Sequence, residues 1–113
     1  MLIRVTYFDQ NETFAKAIPK YGLFGRVARQ LSLRDWGDNW LLLTLTAPFE
    51  YGGQSHRQIL IKSRWRDHHV GGTSETSVFI LLCPDPTVLS KPVPESADFD
   101  FVAWGMAESV AVP

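Results

Sequence analysis

The chain has 113 residues, of which 45% are hydrophobic and 20% are charged, and this size and composition fit one folded domain and exclude wholesale disorder. Its single cysteine, Cys83, excludes an internal disulfide, and its longest apolar run, residues 78–83, is too short to span a bilayer. Arg4 and Asp9 interrupt the apolar stretch that a signal peptide needs, so we expect a soluble, cytoplasmic protein without membrane contact.

The net charge of −1 is unevenly distributed along the chain. Residues 1–72 contain ten basic against six acidic residues, a net charge of +4, whereas residues 73–113 contain one basic against six acidic residues, a net charge of −5. Two explanations fit this asymmetry: the two parts neutralise each other across the fold, or a basic face is presented to a partner. We favour neutralisation, because soluble domains usually carry surface charges of both signs.

The first segments of the chain predict a strand followed by a short helix. Residues 1–8 alternate between two faces, and the face with the better core character includes Tyr7. Residues 12–18 fit a short helix that Asn11 caps and Pro19 ends. The same residues also alternate in the manner of a strand, and this alternative remains open.

Residues 23–34 fit two structures. Their apolar residues match helical spacing, but they also alternate as a strand would. We favour a long strand, because Gly25 near its start weakens a helix more than it weakens a strand that begins at a bulge. Residues 35–39 are rich in Gly, Asp and Asn and predict a turn.

The middle of the chain predicts a β-hairpin. Residues 40–47 alternate and predict a strand that ends at, or lies at an edge beside, Pro48. Residues 51–55 are turn-forming and reverse the chain. Residues 58–65 predict the returning strand, and their alternation places Trp65 in the core.

The last third of the chain predicts two further strands. Residues 76–83 are apolar on both faces towards their end, which is typical of a strand covered on both sides. Four prolines within residues 84–96 predict an ordered loop or a meandering excursion of the chain, and residues 98–104 alternate again. We therefore expect one β domain at residues 1–105 and a loosely attached tail at residues 106–113.

These segments together predict a mainly β protein. We expect a single-domain antiparallel β-barrel or β-sandwich of about six to seven strands with at most one short helix. Strand spacings short enough for hairpins favour antiparallel pairing, and closure of the sheet would protect its edge strands.

A basic stripe on the second strand of the hairpin is the best candidate for a binding site. Strand alternation places its three cations on one face, roughly 7 Å apart, a spacing that resembles the separation of neighbouring phosphates in a nucleic acid. Two histidines follow them directly. The predicted ligand- or polyanion-binding residues are Lys62, Arg64, Arg66, His68 and His69.

The alternative for this stripe is a solvated strand face whose cations pair with Asp98 and Asp100 of a neighbouring strand. We favour this alternative, because exposed ion pairs are common in soluble proteins. In this register Trp65 belongs to the core, and Trp36 and Trp40 are the aromatic residues that could be exposed.

No residues of this sequence form a recognisable catalytic or metal-binding motif, and we expect no cofactor. Adjacent histidines on a strand point to opposite faces and cannot hold one metal ion together. Cys83 follows an apolar strand and is expected to be a buried, inert thiol. A small hydrolase that uses His68 or His69 with Asp67 or Glu75 remains an alternative.

These observations favour a non-enzymatic module that binds a protein or a small ligand. Self-association is a corollary, because Leu42, Val102 and Trp104 lie on nominally outward strand faces that a second subunit could cover. Binding of nucleic acid or another polyanion through the basic stripe is the second hypothesis, less favoured than the first.

Overall fold

The computed structural model describes residues 2–65, 69–70 and 74–111. Each strand pairs antiparallel with the next strand along the chain, and the last strand pairs with the first, so the sheet closes into a barrel. The elements are β1 (Leu2–Asp9), α1 (Glu12–Ala17), β2 (Leu23–Leu33), β3 (Gly37–Tyr51), β4 (Gln54–Ser63), β5 (Thr76–Leu82), two 3₁₀ turns (Pro86–Ser90 and Ser96–Asp98) and β6 (Asp100–Val110). The predicted mainly β class is confirmed, and the sheet is a barrel rather than a sandwich.

Apolar side chains from one side of every strand fill the interior of the barrel. We call these side chains the inner cluster, and Ile3, Leu43, Ile59 and Ile80 within it are completely buried. Helix α1 adds Phe14 to the cluster. The ring of Phe14 makes edge-to-face contacts of 5.2–5.8 Å with three aromatic rings of β1 and β3, so the short helix is held by packing rather than by its own length.

The two open choices of the sequence are settled by local structure. Residues 12–17 form the helix, and the Asn11 side chain accepts a hydrogen bond from the Phe14 backbone N–H, as expected for its cap. Residues 23–33 form the favoured strand. Gly25 lies where β3 approaches closely, because a Cβ added there would be 2.9 Å from the Thr44 carbonyl oxygen.

Several expectations about strand ends need correction. Pro48 does not end β3, but it lies in a stretch without regular pairing, between a register shift on the β4 side and the last pair with β2 at Leu45, as its alternative edge position implies. Trp65 is not in the core; it follows the end of β4 and is 53% exposed. Residues 106–110, expected as part of a tail, belong to β6 and pair with β1.

A second apolar cluster lies outside the barrel, beneath residues 84–99, which we call the strap. The strap contributes Val88 and Phe99, and it covers outward residues of β2 to β5. Hydrogen bonds fasten it to the barrel: the Arg34 N–H donates to the Pro94 carbonyl at 2.9 Å, and the Ser96 hydroxyl bonds to Asp35 at 3.1 Å. The predicted loop is therefore ordered, and its apolar side chains pack against the outer side of the barrel. The barrel residues beneath it include Leu31, Leu33, Leu42, Leu60 and Leu81.

The strap changes the interpretation of two residues that suggested self-association. Leu42 faces outward but is buried beneath the strap, and Val102 belongs to the inner cluster. Of the three residues in that argument, Trp104 alone remains at the surface of the described barrel. Across the described residues, every helix is too short to pass through a bilayer.

Candidate functional site

An open groove with aromatic walls lies on the outer surface of the barrel, beside the strap. Its volume is about 390 Å³. We call it the aromatic groove, and its lining residues are Trp36, Trp40, Phe79, Leu81, Phe101 and Trp104. The whole lining is made of aromatic or aliphatic side chains, so an apolar ligand surface could be buried there.

The rings of the groove form a continuous row. From Trp36 through Trp40, Phe79 and Phe101 to Trp104, successive ring centroids are 6.2, 6.4, 6.3 and 5.8 Å apart. Trp40 forms part of a buried floor, whereas Trp36 is 38% and Phe101 is 44% exposed. A ligand can therefore contact the rings of Trp36 and Phe101.

Strand geometry explains why these rings share one surface. Trp36 belongs to the turn before β3, and Trp40 and Phe79 point outward from β3 and β5. In β6, a register shift opposite Ile80 and Leu81 inserts one extra residue between Phe101 and Ala103. Phe101 and Trp104 consequently line the same groove, although simple alternation would place them on opposite faces.

Lys62 lies at the edge of the groove. In the sheet it pairs with Phe79 of β5, and its ammonium nitrogen is 5.6 Å from the centre of the Trp40 ring. The same ammonium group donates a hydrogen bond to the Trp36 carbonyl oxygen at 3.2 Å. A cation over an aromatic face contributes about 0.5–1 kcal/mol at an exposed site, and the two contacts together fix the position of the charge.

Arg64 lies near the other end of the ring row. Its guanidinium carbon is 4.4 Å from the Trp104 ring centre and 5.4 Å from that of Trp65. The Arg64 backbone N–H donates to the Ser77 carbonyl at 2.9 Å, so the sheet pairing continues just beyond β4 and holds this residue in place. Arg64 and Lys62 therefore extend over the same outer surface, as the sequence predicts.

Their charges are not neutralised by the predicted acidic partners. Asp98 bonds instead to Lys91 of the strap, with an N···O distance of 3.1 Å. Among the ion pairs of residues 2–65, 69–70 and 74–111, none includes Lys62 or Arg64. Both positive charges lie over aromatic rings. Because no carboxylate of the described residues pairs with them, an anionic group of a ligand can approach them.

Trp104 contributes a buried N–H group that makes no hydrogen bond in the described structure. Its indole nitrogen is buried, and no hydrogen-bond acceptor is within reach in the described structure. Buried N–H groups nearly always have a partner, and an unpaired one costs about 1–3 kcal/mol. The indole N–H of Trp104, at one end of the ring row, therefore has no protein acceptor among the described residues.

A second cavity, the end cavity, lies next to the groove at one end of the barrel and has a volume of about 630 Å³. Lys62, Arg64 and Phe79 line it, as do Trp65 and His69. The structure thus brings three of the five predicted binding residues to one place. The other two, Arg66 and His68, lie outside the described residues.

Three further titratable side chains lie outside the linings of both cavities, namely His56, Asp98 and Asp100. The buried His56 ring bonds to the Tyr51 carbonyl oxygen at 3.2 Å and packs on Phe49. Asp98 and Asp100 do not share a strand face, because Asp98 belongs to a 3₁₀ turn and only Asp100 begins β6. Within the described ranges, no three His, Cys, Asp or Glu side chains lie close enough together to hold a metal ion.

Cys83 is buried at the end of β5, beneath the strap. Burial, with a smaller contribution from the negative charge of Asp85, raises the pKa of its thiol to about 11. The S–H group donates to the Asp85 carbonyl oxygen at 3.2 Å. The thiol is therefore protonated at neutral pH, and only the thiolate is a good nucleophile.

Comparison with known proteins gives no functional information. Neither a family model, nor a curated protein, nor a solved structure was found to match this chain. Function must be inferred from the residues and their geometry.

Proposed function

We propose that the protein is a non-catalytic binding module whose ligand occupies the aromatic groove. The ligand has flat apolar groups that cover the exposed rings and a negative charge that approaches Lys62 and Arg64. The observation that supports this proposal most strongly is the combination of an open row of rings with two cations that lie over those rings.

The apolar part of the ligand would supply most of the affinity. Covering the exposed parts of Trp36 and Phe101 contributes on the order of 1–2 kcal/mol per ring. The groove volume of about 390 Å³ also falls within the range typical of small-ligand sites. Aromatic residues and arginine are the residue types enriched in binding surfaces.

The cations would supply orientation. Lys62 is held by the Trp36 carbonyl, and Arg64 lies between two indole rings. Groups that are held before binding lose little conformational entropy when the ligand arrives. An anion at this edge therefore meets two charges that are already in position.

The test uses anilinonaphthalene sulfonate, a fluorescent probe that combines flat rings with one negative charge. We expect saturable binding to one site, with the affinity reduced at least about fivefold in Phe101→Ala, which corresponds to about 1 kcal/mol. The matched control is Tyr21→Ala, because Tyr21 is 69% exposed but does not line the groove. Thermal melting of each variant confirms that it is folded before titration.

Two results would contradict the proposal. The first is probe binding that is absent in the native protein or equally strong in Phe101→Ala. The second is a dimer, detected by sedimentation velocity, that dissociates in Phe101→Ala, because the groove would then be an interface between two copies of the chain.

A further inference from the structure

We infer that the ligand of the aromatic groove is a single-stranded nucleic acid, whose bases stack on the ring row while its phosphates bind Lys62 and Arg64. This inference rests on the proposed binding function of the groove. It assigns a ligand class to the same residues.

The ring row suits stacked bases. Its rings contact one another at 5.8–6.4 Å, and Trp36 and Phe101 are partly exposed, so the row offers two stacking positions. Stacking of a base on an aromatic side chain contributes about 1–3 kcal/mol, and it tolerates any sequence because every base has a flat face. The partly exposed rings of Trp36 and Phe101 can receive bases without a change in the barrel.

The cations follow the ring row. Lys62 lies over Trp40 near one end, and Arg64 lies over Trp104 at the other. They are alternate residues of one extended segment and extend over the same outer surface, so both charges lie beside the same row of rings. A backbone that runs beside the row would meet both charges while its bases turn towards the rings.

An unpaired strand fits this surface better than a duplex or an acidic peptide does. In a duplex the base faces are already stacked and cannot reach the rings. An acidic peptide would use the two cations but has few flat groups for the row. The net charge of −1 provides little long-range attraction, so binding must depend on contacts within the groove.

Fluorescence anisotropy with a labelled single strand of about twelve thymidines tests the inference. With two phosphate contacts, the logarithm of the binding constant should fall with the logarithm of the salt concentration with a slope of about −1.4, and Arg64→Gln should reduce the size of this slope by about 0.7.

Phe101→Ala should weaken binding of the oligonucleotide about 5- to 150-fold, the range that one lost stacking contact implies. Arg57→Gln is the matched control, because Arg57 is an exposed cation of β4 that lines neither cavity. The affinity of this variant for the oligonucleotide should differ from that of the native protein by less than about twofold.

The outcomes separate this inference from the proposed function. If anilinonaphthalene sulfonate binds in the groove and the oligonucleotide does not, the nucleic-acid inference is overturned and the binding function stands. If neither binds, both fail. Equal affinity for a duplex of the same length, equal competition by polyglutamate, or binding indifferent to Phe101→Ala would also overturn it, since each result removes the need for base stacking.

Discussion

The outer surface of the barrel has two apolar regions, one buried beneath the strap and one open as a groove. In one, leucines such as Leu42 and Leu60 are covered by Val88 and Phe99 of the strap. In the other, the aromatic groove, Trp36 and Phe101 remain partly exposed. An outward apolar residue is therefore not by itself a sign of a partner, because the strap of the same chain covers one of the two regions.

The two regions also differ in chemistry. The covered region is mainly aliphatic, and polar contacts such as that from Arg34 to Pro94 fasten its cover. The open region is aromatic, with cations over two of its rings. Aromatic side chains tolerate partial exposure better than a leucine cluster does, since tryptophan has a polar edge and ring faces attract cations. This difference in composition supports the proposed binding function of the groove.

Two phenylalanines on either side of the boundary give the sharpest test of this comparison. Phe99→Ala should lower the free energy of unfolding by about 3–5 kcal/mol, because Phe99 is buried beneath the strap. Phe101→Ala should lower it by about 1 kcal/mol, because its ring is already 44% exposed. Urea denaturation measures both values, and equal losses would mean that the groove is covered in solution.

Much of the fold could be predicted from alternation alone. Strand β2 and the hairpin around β3 and β4 follow from side chains that repeat every two residues, and Ile59 and Ile61 face inward as expected. The choice between barrel and sandwich could not be predicted. It depends on the pairing of Leu2 with Val110, two residues at opposite ends of the chain, and local patterns carry no information about that contact.

The candidate site could be predicted only in part. Lys62 and Arg64 do share an outer face, as the alternation of the strand implies. The ring row was missed because the extra residue in β6 brings Phe101 to the same surface as Trp104. The contact between Trp65 and Arg64 was missed because Trp65 lies beyond the strand end, where alternation no longer applies. The signals of a second apolar surface were Phe79, on a strand apolar on both faces, and Trp104, on a nominally outward face.

The covered region should respond to alkaline pH through Cys83. Its pKa in the folded protein is raised to about 11 from an ordinary value of 9.0, so above pH 9 the unfolded chain loses this proton while the folded protein retains it. Stability therefore falls as the pH rises from 9 to 11, by at most about 2 kcal/mol when partial screening by solvent is allowed for. Denaturation of the native protein and of Cys83→Ala across this range isolates the contribution, because other groups that titrate there are common to both. An identical pH dependence in the two proteins would show that the thiol is not buried.

In the open region, Lys62→Gln should have a small effect on stability. The loss of the contact with the Trp40 ring costs about 0.5–1 kcal/mol, which thermal denaturation can resolve. The same substitution should weaken binding of anilinonaphthalene sulfonate, whereas Lys91→Gln, which removes a strap cation paired with Asp98, should leave binding unchanged. Equal binding by both variants would remove Lys62 from the site.

The smallest effect is expected where the strap is fastened to itself. The Asp98 carboxylate accepts hydrogen bonds from the Glu95 N–H and from Lys91, and these contacts hold the pKa of Asp98 below its ordinary value of 3.8. A lowered pKa means that the stabilisation is complete above pH 3.8 and is lost as the pH falls below it. Asp98→Asn should therefore be less stable than the native protein at pH 7, and the difference should shrink in acid.

Alkylation of Cys83 by iodoacetamide gives this prediction a local readout, because the thiol is buried beneath the strap. We expect faster alkylation in Asp98→Asn than in the native protein at the same pH, whereas Asp100→Asn, a change at an exposed position just beyond the strap, serves as the control and should leave the rate unchanged. A native rate in Asp98→Asn would mean that the strap stays closed without this carboxylate and that packing of Val88 and Phe99 is enough to cover the apolar cluster beneath it. The cover of the aliphatic region would then depend on whether apolar side chains of the strap reach it, and not on the polar contacts within the strap.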